Sequence, residues 1–485
     1  MINQVLFLFG LYVLGVYFGL LFKRDLPVTV IAVTGFLWGA LFWVLGGMCL
    51  LIAAIAYTPA SMSIYLGILV SVFSIIHARR KTWRLSLREI FWLLTIATFF
   101  LLVLIAASYF NLSTTSPDSI VLISTGRRMA YEGLSDTVMK ELSLRGVYMP
   151  VLQSASSFLG DGYLYAAQPG IGVTFTLVFF FLSHRIIGQL GSKKRLNLIS
   201  SILTSLALFS TYFIVFQFFY INTNTISALY LFVAVSAFWL GLIEDKRSWL
   251  VFGMLALLGF SLARTEAPLF ALVFLLLVVG VDRIPYRVRL RATLPYAILL
   301  ILWYLYLLWR MGDGTQILNP ERTLVILVAL VGFGFFILIS EGRWIKGKIL
   351  PYLPWIMIGA LLLILLSMVL LKPGHMKDSV YYIFMNMLGF GWWGITWLVI
   401  SILYMISLKG PSLPYEGIFS YGIPSFFSLV VALSFFRVPY RLGWGDSANR
   451  MMVHILPIIA LYLMMKAVKA SSGRDILKNR PSIDS

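Results

Sequence analysis

Apolar runs long enough to cross a bilayer recur along almost the whole chain, separated for the most part by short polar loops. A membrane helix needs about 20 predominantly apolar residues. About fifteen such runs can be marked on hydropathy, the first at 4–22 and the last at 451–469. Few folds are open to such a chain, because the hydrocarbon interior holds no water to satisfy backbone groups. The expectation is an all-α protein, a polytopic transmembrane helical bundle of about fifteen spans. Two runs, 249–263 and 267–281, are short enough to form a shallow hairpin instead.

Composition narrows the class further. The chain is 60% hydrophobic and 12% charged, with mean hydropathy +0.92. Soluble domains are about 25% charged, so this chain cannot cover a globular surface with polar groups. An ordinary soluble enzyme, a disordered protein and a disulfide-rich secreted module are excluded. The single cysteine, Cys49, lies in an apolar run and is expected to be packed in the core.

The net charge of +19 would suggest nucleic acid in a soluble protein. Here most of the 38 Lys and Arg residues fall in one alternating set of loops, which includes Lys23, Arg80, Arg185, Lys246, Arg289, Lys346 and Lys466. The positive-inside rule makes that set cytoplasmic, with the N-terminus outside and the C-terminus inside. No nucleic-acid partner is implied, and the bilayer is the expected environment. The first run lacks a preceding basic segment and a small-residue cleavage site, so it reads as a retained helix and not a signal peptide. A prokaryotic plasma membrane is the expected location.

The longest external segment is 111–168. A loop of that length is often functional. Within it, Pro117 is placed to start a helix over 118–132 and Gly133 to end it. A second short helix is expected over 135–145, with Leu134, Val138 and Leu142 on one side. Both read as helices lying along the membrane surface. Asn111-Leu112-Ser113 is a formal glycosylation sequon.

The external loops also hold Arg264, Arg310, Arg322, Lys372, Lys377, Arg437, Arg441 and Arg450. Cations there are either snorkelling side chains or ligands for a phosphate at the membrane boundary, since Arg binds phosphate bidentately. Asp118 opens the expected helix and is either an N-terminal cap or a base that takes a proton from an acceptor hydroxyl. Arg264 and Glu266 sit between two apolar runs, as a structural salt bridge or as functional charges at membrane depth. The segment 437–457 carries three arginines, Asp446, a Gly-Trp-Gly turn, His454 and Pro457, and 372–378 is another polar knot, with His375. Walker A loops, dinucleotide fingerprints, metal-ligand spacings and nucleophile elbows are absent from the sequence. Any chemistry then uses substrates that reach the membrane.

The order of these features resembles the GT-C superfamily of membrane glycosyltransferases, in its polyprenyl- or dolichyl-phosphate-sugar-dependent, mannosyltransferase-like branch. The likeness rests on Asp118 followed by Gly126-Arg127-Arg128-Met129-Ala130, on Gln168-Pro169-Gly170 entering a span, on Phe260–Glu266 (FSLARTE), and on Arg450 through Pro457. It covers about 89–469. It implies an N-terminal addition over 1–88, a catalytic core over 89–469 with the external loop 111–168, and a cytoplasmic tail over 470–485. Relatives often carry an acidic pair in the first loop, where this chain has Asp118-Ser119, and Pro-Pro where it has Gln168-Pro169. The base is therefore Asp118, Asp136 or Asp161.

The resemblance implies a polyprenyl-phosphate-linked sugar as donor and a glycan, lipid or protein as acceptor, with no cofactor and no metal. Asp118 would be the base of an inverting single displacement. Arg264, Arg437, Arg441, Arg450 and Lys372 would hold the donor phosphate. Glu266, Arg127, Arg128, His375 and Asp446 would support them. The reading from another class is a secondary transporter or flippase of a lipid-linked or anionic substrate, which would place charges at the bilayer midplane.

Overall fold

The computed structural model describes residues 1–81, 84–191, 193–281, 284–311, 320–436 and 439–478, by backbone alone at 311 and 472–478. Among the described residues every regular element is helical, and the one bridge, between Thr114 and Tyr220, is isolated. Eleven helices are long and apolar enough to cross a membrane. The other four apolar runs make less. Run 197–219 breaks into Lys194–Phe209 and Tyr212–Gln217, and 389–407 yields Thr396–Leu408 after a π-helical turn at Asn386–Phe390. Runs 249–263 and 267–281 give the short helices Arg247–Ala263 and Ala267–Val279, which meet at Arg264–Glu266.

Burial sorts the helices into inner and outer. The best windows of Val28–Ile52 and Asn224–Glu244 are 89% and 94% buried inside the protein, against 11% for Pro59–Arg80 and 22% for Leu87–Tyr109. The outer pair instead displays Ile64, Ile68, Phe91, Leu94 and Leu102, side chains suited to lipid. Cys49 also faces outward, from the last turn of Val28–Ile52. The expectation of a packed thiol fails because even this inner helix keeps one outward strip near its end.

The first two helices belong to the same core as the rest. Ile2–Gly19 meets Val28–Ile52 backbone to backbone: a Cβ on Gly15 would collide with the Gly35 carbonyl, and one on Gly39 with the Leu11 carbonyl. Small residues allow this approach where no hydrophobic drive separates helix from lipid. The Tyr230 hydroxyl donates to the Leu37 carbonyl at 2.8 Å, and the Trp43 indole to Val151 at 3.0 Å. Residues 2–52 are thus continuous in packing with residues 148–244.

The long segment 111–168 carries three helices. Pro117–Glu132 is capped by Ser116 and stopped at Gly133, whose φ of 64° suits glycine. Asp136–Arg145 is capped by Ser135. The third, Tyr148–Leu159, was not expected, and Tyr148 through Ser156 are all buried in it. It lies against Pro117–Glu132 at Gly126, where a Cβ would collide with the Pro150 carbonyl and stand 2.9 Å from the Ser154 nitrogen.

Ion pairs respect the two charge sets read from the loops. At one end are Lys23–Glu89 (3.0 Å), Arg185–Glu244 (2.8 Å), Arg289–Glu341 (3.7 Å) and Lys466–Glu416 (2.9 Å). At the other are Asp118 with Arg145 and Arg450, Arg264–Glu266 and Arg310–Asp136.

Candidate functional site

A cavity of about 460 Å³ opens at the end that carries Asp118. Its walls come from five separate stretches of chain. They are the start of Pro117–Glu132, the end of Asp136–Arg145, residues 222–224, the corner at Arg264–Glu266, and the approach to the last helix, Ser447–Lys478. Arg322, in the first turn of Pro320–Ile339, completes them.

Asp118 is held by its neighbours in sequence. The Ser116 side chain accepts from the Ser119 amide and meets the Tyr220 hydroxyl at 2.7 Å. Ser119 donates to the Ile221 carbonyl at 2.7 Å, and the Thr114 amide donates to the Phe219 carbonyl at 2.6 Å. These bonds dock the first helical turn onto 219–222. Asp118 Oδ1 then accepts from Arg145 Nη1 at 2.9 Å, and Oδ2 from Arg450 Nη1 at 2.6 Å. Burial pushes its pKa up, but the Arg450 charge and the hydrogen bonds from Arg145 and Arg450 outweigh it and hold the carboxyl below its usual value.

The Arg264–Glu266 corner is built where two short helices meet. Arg264 Nη2 lies 2.7 Å from Glu266 Oε1, and its Nη1 donates to Asn224 Oδ1 at 2.7 Å. Asn224 in turn donates to Gln217 Oε1 at 3.2 Å. Glu266 is buried and Arg264 nearly so. Thr265 donates to the Ser143 carbonyl at 2.8 Å, and the Val147 amide to Leu262 at 3.0 Å. Gly146, with φ of 85°, lies so close that a Cβ would stand 2.7 Å from the Ala263 carbonyl. That contact brings the end of Asp136–Arg145 onto the corner, and so Arg145 and Arg264 to one cavity.

Arg450 lies one turn into the last helix. Asp446 starts that helix by accepting from the Asn449 amide at 3.0 Å. The Asn449 side chain accepts from the Trp393 indole and donates to Gly391 at 3.2 Å. Arg450 Nε is buried with no hydrogen-bond partner among the described residues.

Of the residues singled out from sequence, Asp118, Arg264, Glu266, Arg441, Asp446 and Arg450 line the cavity. Lys372 does not; it precedes Pro373–Met385 and is exposed. His375 bonds to the Phe435 carbonyl at 2.7 Å, away from the cavity. Arg127 and Arg128 are exposed on Pro117–Glu132 and do not line it. Arg437 lies outside the described residues. Among the three candidate bases, Asp136 is exposed and lies 3.8 Å from Arg310, while Asp161 accepts from Gln4 at 3.2 Å; neither lines the cavity.

Sequence reasoning assigned no role to Arg145, Asn222 or Asn224, and noted Arg322 only as an external cation. Arg145 in a last helical turn reads locally as a complement to the helix dipole. Its place in the site comes from the turn at Gly146. The lining side chains include five arginines and three carboxylates, an excess of two positive charges. No group of three His, Cys, Asp or Glu side chains among the described residues is placed to hold a metal ion.

A second cavity, about 850 Å³ and mostly apolar, runs between Lys194–Phe209, Thr396–Leu408 and the last helix, past Leu203, Val399, Leu456 and Met464. Trp393 touches both this groove and, through Asn449, the neighbour of Arg450.

No family model matches the chain, and neither the curated proteins nor the solved structures contain a significant match.

Proposed function

We propose that this protein is an integral membrane glycosyltransferase. It would move a sugar from a polyprenyl-phosphate donor to an acceptor hydroxyl at the extracytoplasmic face. The observation that carries this reading is Asp118 set in a cavity lined by five arginines and two further carboxylates, at one end of an apolar helical bundle. Such a set suits a phosphate leaving group and a hydroxyl that must lose a proton.

In this scheme the basic loops are cytoplasmic, the N-terminus is outside, and the membrane is a prokaryotic plasma membrane. The four shorter apolar runs complete the path of the chain across the bilayer, and the helices of 111–168 lie near its outer boundary. The donor's apolar tail occupies the lateral groove, and its phosphate faces Arg264, Arg441 and Arg450. The acceptor oxygen bonds to the anomeric carbon as the bond from that carbon to the phosphate oxygen breaks. The phosphate leaves with the bonding electrons as polyprenyl phosphate, and the acceptor's proton passes to Asp118. Attack from the face opposite the phosphate inverts the anomeric centre. The two positive charges in excess favour the phosphate monoester that leaves over the diester that arrives, which is stabilisation of developing charge.

The test is sugar transfer by the purified protein from a panel of polyprenyl-phosphate sugars, with Asp118→Asn beside the wild type. Loss of a general base costs about 10²- to 10⁴-fold in turnover. Release of polyprenyl phosphate by the wild type, and its collapse in the variant, is the expected result. A variant with near wild-type turnover would remove Asp118 as the base. Transport of a lipid-linked anion in proteoliposomes, without transfer from any donor, would overturn the enzyme reading in favour of a transporter.

A further inference from the structure

Asp118 has both carboxylate oxygens committed to guanidinium groups, at 2.9 Å to Arg145 and 2.6 Å to Arg450. A carboxylate so engaged is a weak base, because two guanidinium charges and their hydrogen bonds stabilise its ionised form. Yet the arrangement is not a buried rivet. The Asp118 side chain is 37% exposed and Arg145 31%, both at the cavity wall. The Arg145 pair, about a third exposed on both sides, contributes only about 0–1 kcal/mol, so another anion can replace Asp118 there at little cost. Arg450 is more enclosed, at 16% exposed, and its charge stays compensated whichever anion it faces.

The arginines have capacity to spare. Each guanidinium carries five N–H donors. Arg145 gives Nη1 to Asp118 and Nε to Glu141. Arg450 gives Nη1 to Asp118, while its Nε is buried without a partner among the described residues. Arg441 stands exposed at the same cavity and makes no ion pair among the described residues. A phosphate offers more acceptor oxygens than a carboxylate and suits bidentate recognition by two arginines better.

We propose that Asp118 and the donor's phosphate compete for Arg145 and Arg450, so that donor binding frees the Asp118 carboxylate for the acceptor hydroxyl. This rests on the glycosyltransferase reading for the identity of the donor. The exchange moves hydrogen bonds only; no covalent bond changes. The consequence is order: the donor creates the base, and an acceptor arriving first meets a carboxylate already engaged. Arg145 is a positioning residue for Asp118 and a ligand of the phosphate in turn.

The test uses the full-length purified protein and farnesyl phosphate, a short polyprenyl phosphate, with affinity measured by calorimetry. Removing the competing carboxylate by Asp118→Asn tightens farnesyl phosphate binding about tenfold, even though the same variant is the one expected to lose turnover. Asp118→Ser does the same and keeps the test if Asp118→Asn does not fold. Asp446→Asn is the control, since Asp446 lines the cavity but makes no ion pair with an arginine among the described residues; it shifts affinity by less than about twofold. Unchanged or weaker binding in both Asp118 variants would overturn the proposal, because Asp118 would then be holding the arginines in place for the ligand. An equal gain in Asp446→Asn would overturn it too, as a general effect of charge. Tightening at Asp118 without transfer from any donor by the wild type would leave the competition standing and remove the glycosyltransferase reading. Transfer without tightening would remove the competition alone.

Discussion

Glu266 shows how much one buried charge can decide. It is buried beside Arg264, which also reaches Asn224, so a paired carboxylate is one of the ties that hold the corner between two helices. Removing one partner of a buried pair costs about 3–5 kcal/mol, because the other charge is left uncompensated. Glu266→Ala should therefore lower the thermal unfolding midpoint in detergent markedly. Arg264→Met combined with Glu266→Leu should lower it less, since neither member of this pair is left without the other. If the single variant proves as stable as the wild type, the pair is not what holds the corner. At this scale the sequence was informative where a charge interrupts an apolar run. Arg264 and Glu266 stood out in that way, Asp118 as the residue opening a helix in the long loop and Arg450 in the polar segment before the last run, and all four line the cavity. Arg145 did not stand out, because it sits in an ordinary polar helix whose end is brought to the site by a contact between distant backbones at Gly146.

Elements were legible where caps and apolar length agree. Pro117, Ser116 and Gly133 bound one helix as their chemistry requires, and Ser135 begins the next. Tyr148–Leu159 was missed because its residues are mixed in polarity and it is short. Its burial is a tertiary fact: Gln153 accepts from the Leu164 amide at 2.8 Å and Ser154 meets Tyr57 at 2.6 Å, so these two polar groups find partners inside, while the Ser156 and Ser157 hydroxyls are buried with none among the described residues. This hidden helix carries the one that positions Asp118, through the close contact at Gly126. Gly126→Val should push the two helices apart at a cost of about 1–3 kcal/mol. It should also lower turnover by moving Asp118 away from Arg450. Unchanged turnover together with unchanged stability would mean the contact is dispensable. Apolar length alone does not show the breaks within 197–219 and 389–407, where Ser210, Thr211 and the glycines at 389–394 sit. A hydropathy window averages across such interruptions.

Across the whole molecule, hydropathy marked the helices long and apolar enough to cross a membrane, and the charge pattern divided the loops between them. The loops that the positive-inside rule groups together are also the loops whose ion pairs meet in space, as in Arg185–Glu244 and Lys466–Glu416. The proposed orientation is open to a direct measurement. Cys49→Ser gives a cysteine-free background, and single cysteines at Tyr131 or Arg247 can then be labelled in intact cells with an impermeant maleimide. Labelling of the Tyr131 position alone is the expected result, and labelling of Arg247 alone would invert the orientation. Within the first 88 residues, Val28–Ile52 is among the most enclosed helices in the protein. Its all-round apolar surface was visible in sequence; which neighbours would surround it was not.

That enclosure sets a timetable for biogenesis. Val28–Ile52 is translated well before Asn224–Glu244, yet Tyr230 of the later helix bonds to Leu37 of the earlier one across 193 residues. At about 5–20 residues per second, the ribosome needs about 10–40 s to supply the missing wall. For that interval the first hairpin sits in lipid or beside the insertion machinery with a face shaped for protein. Quality-control proteases survey that window. Damage to Asn224–Glu244 should thus appear first as a short-lived nascent chain, before any assembled molecule exists to be inactive.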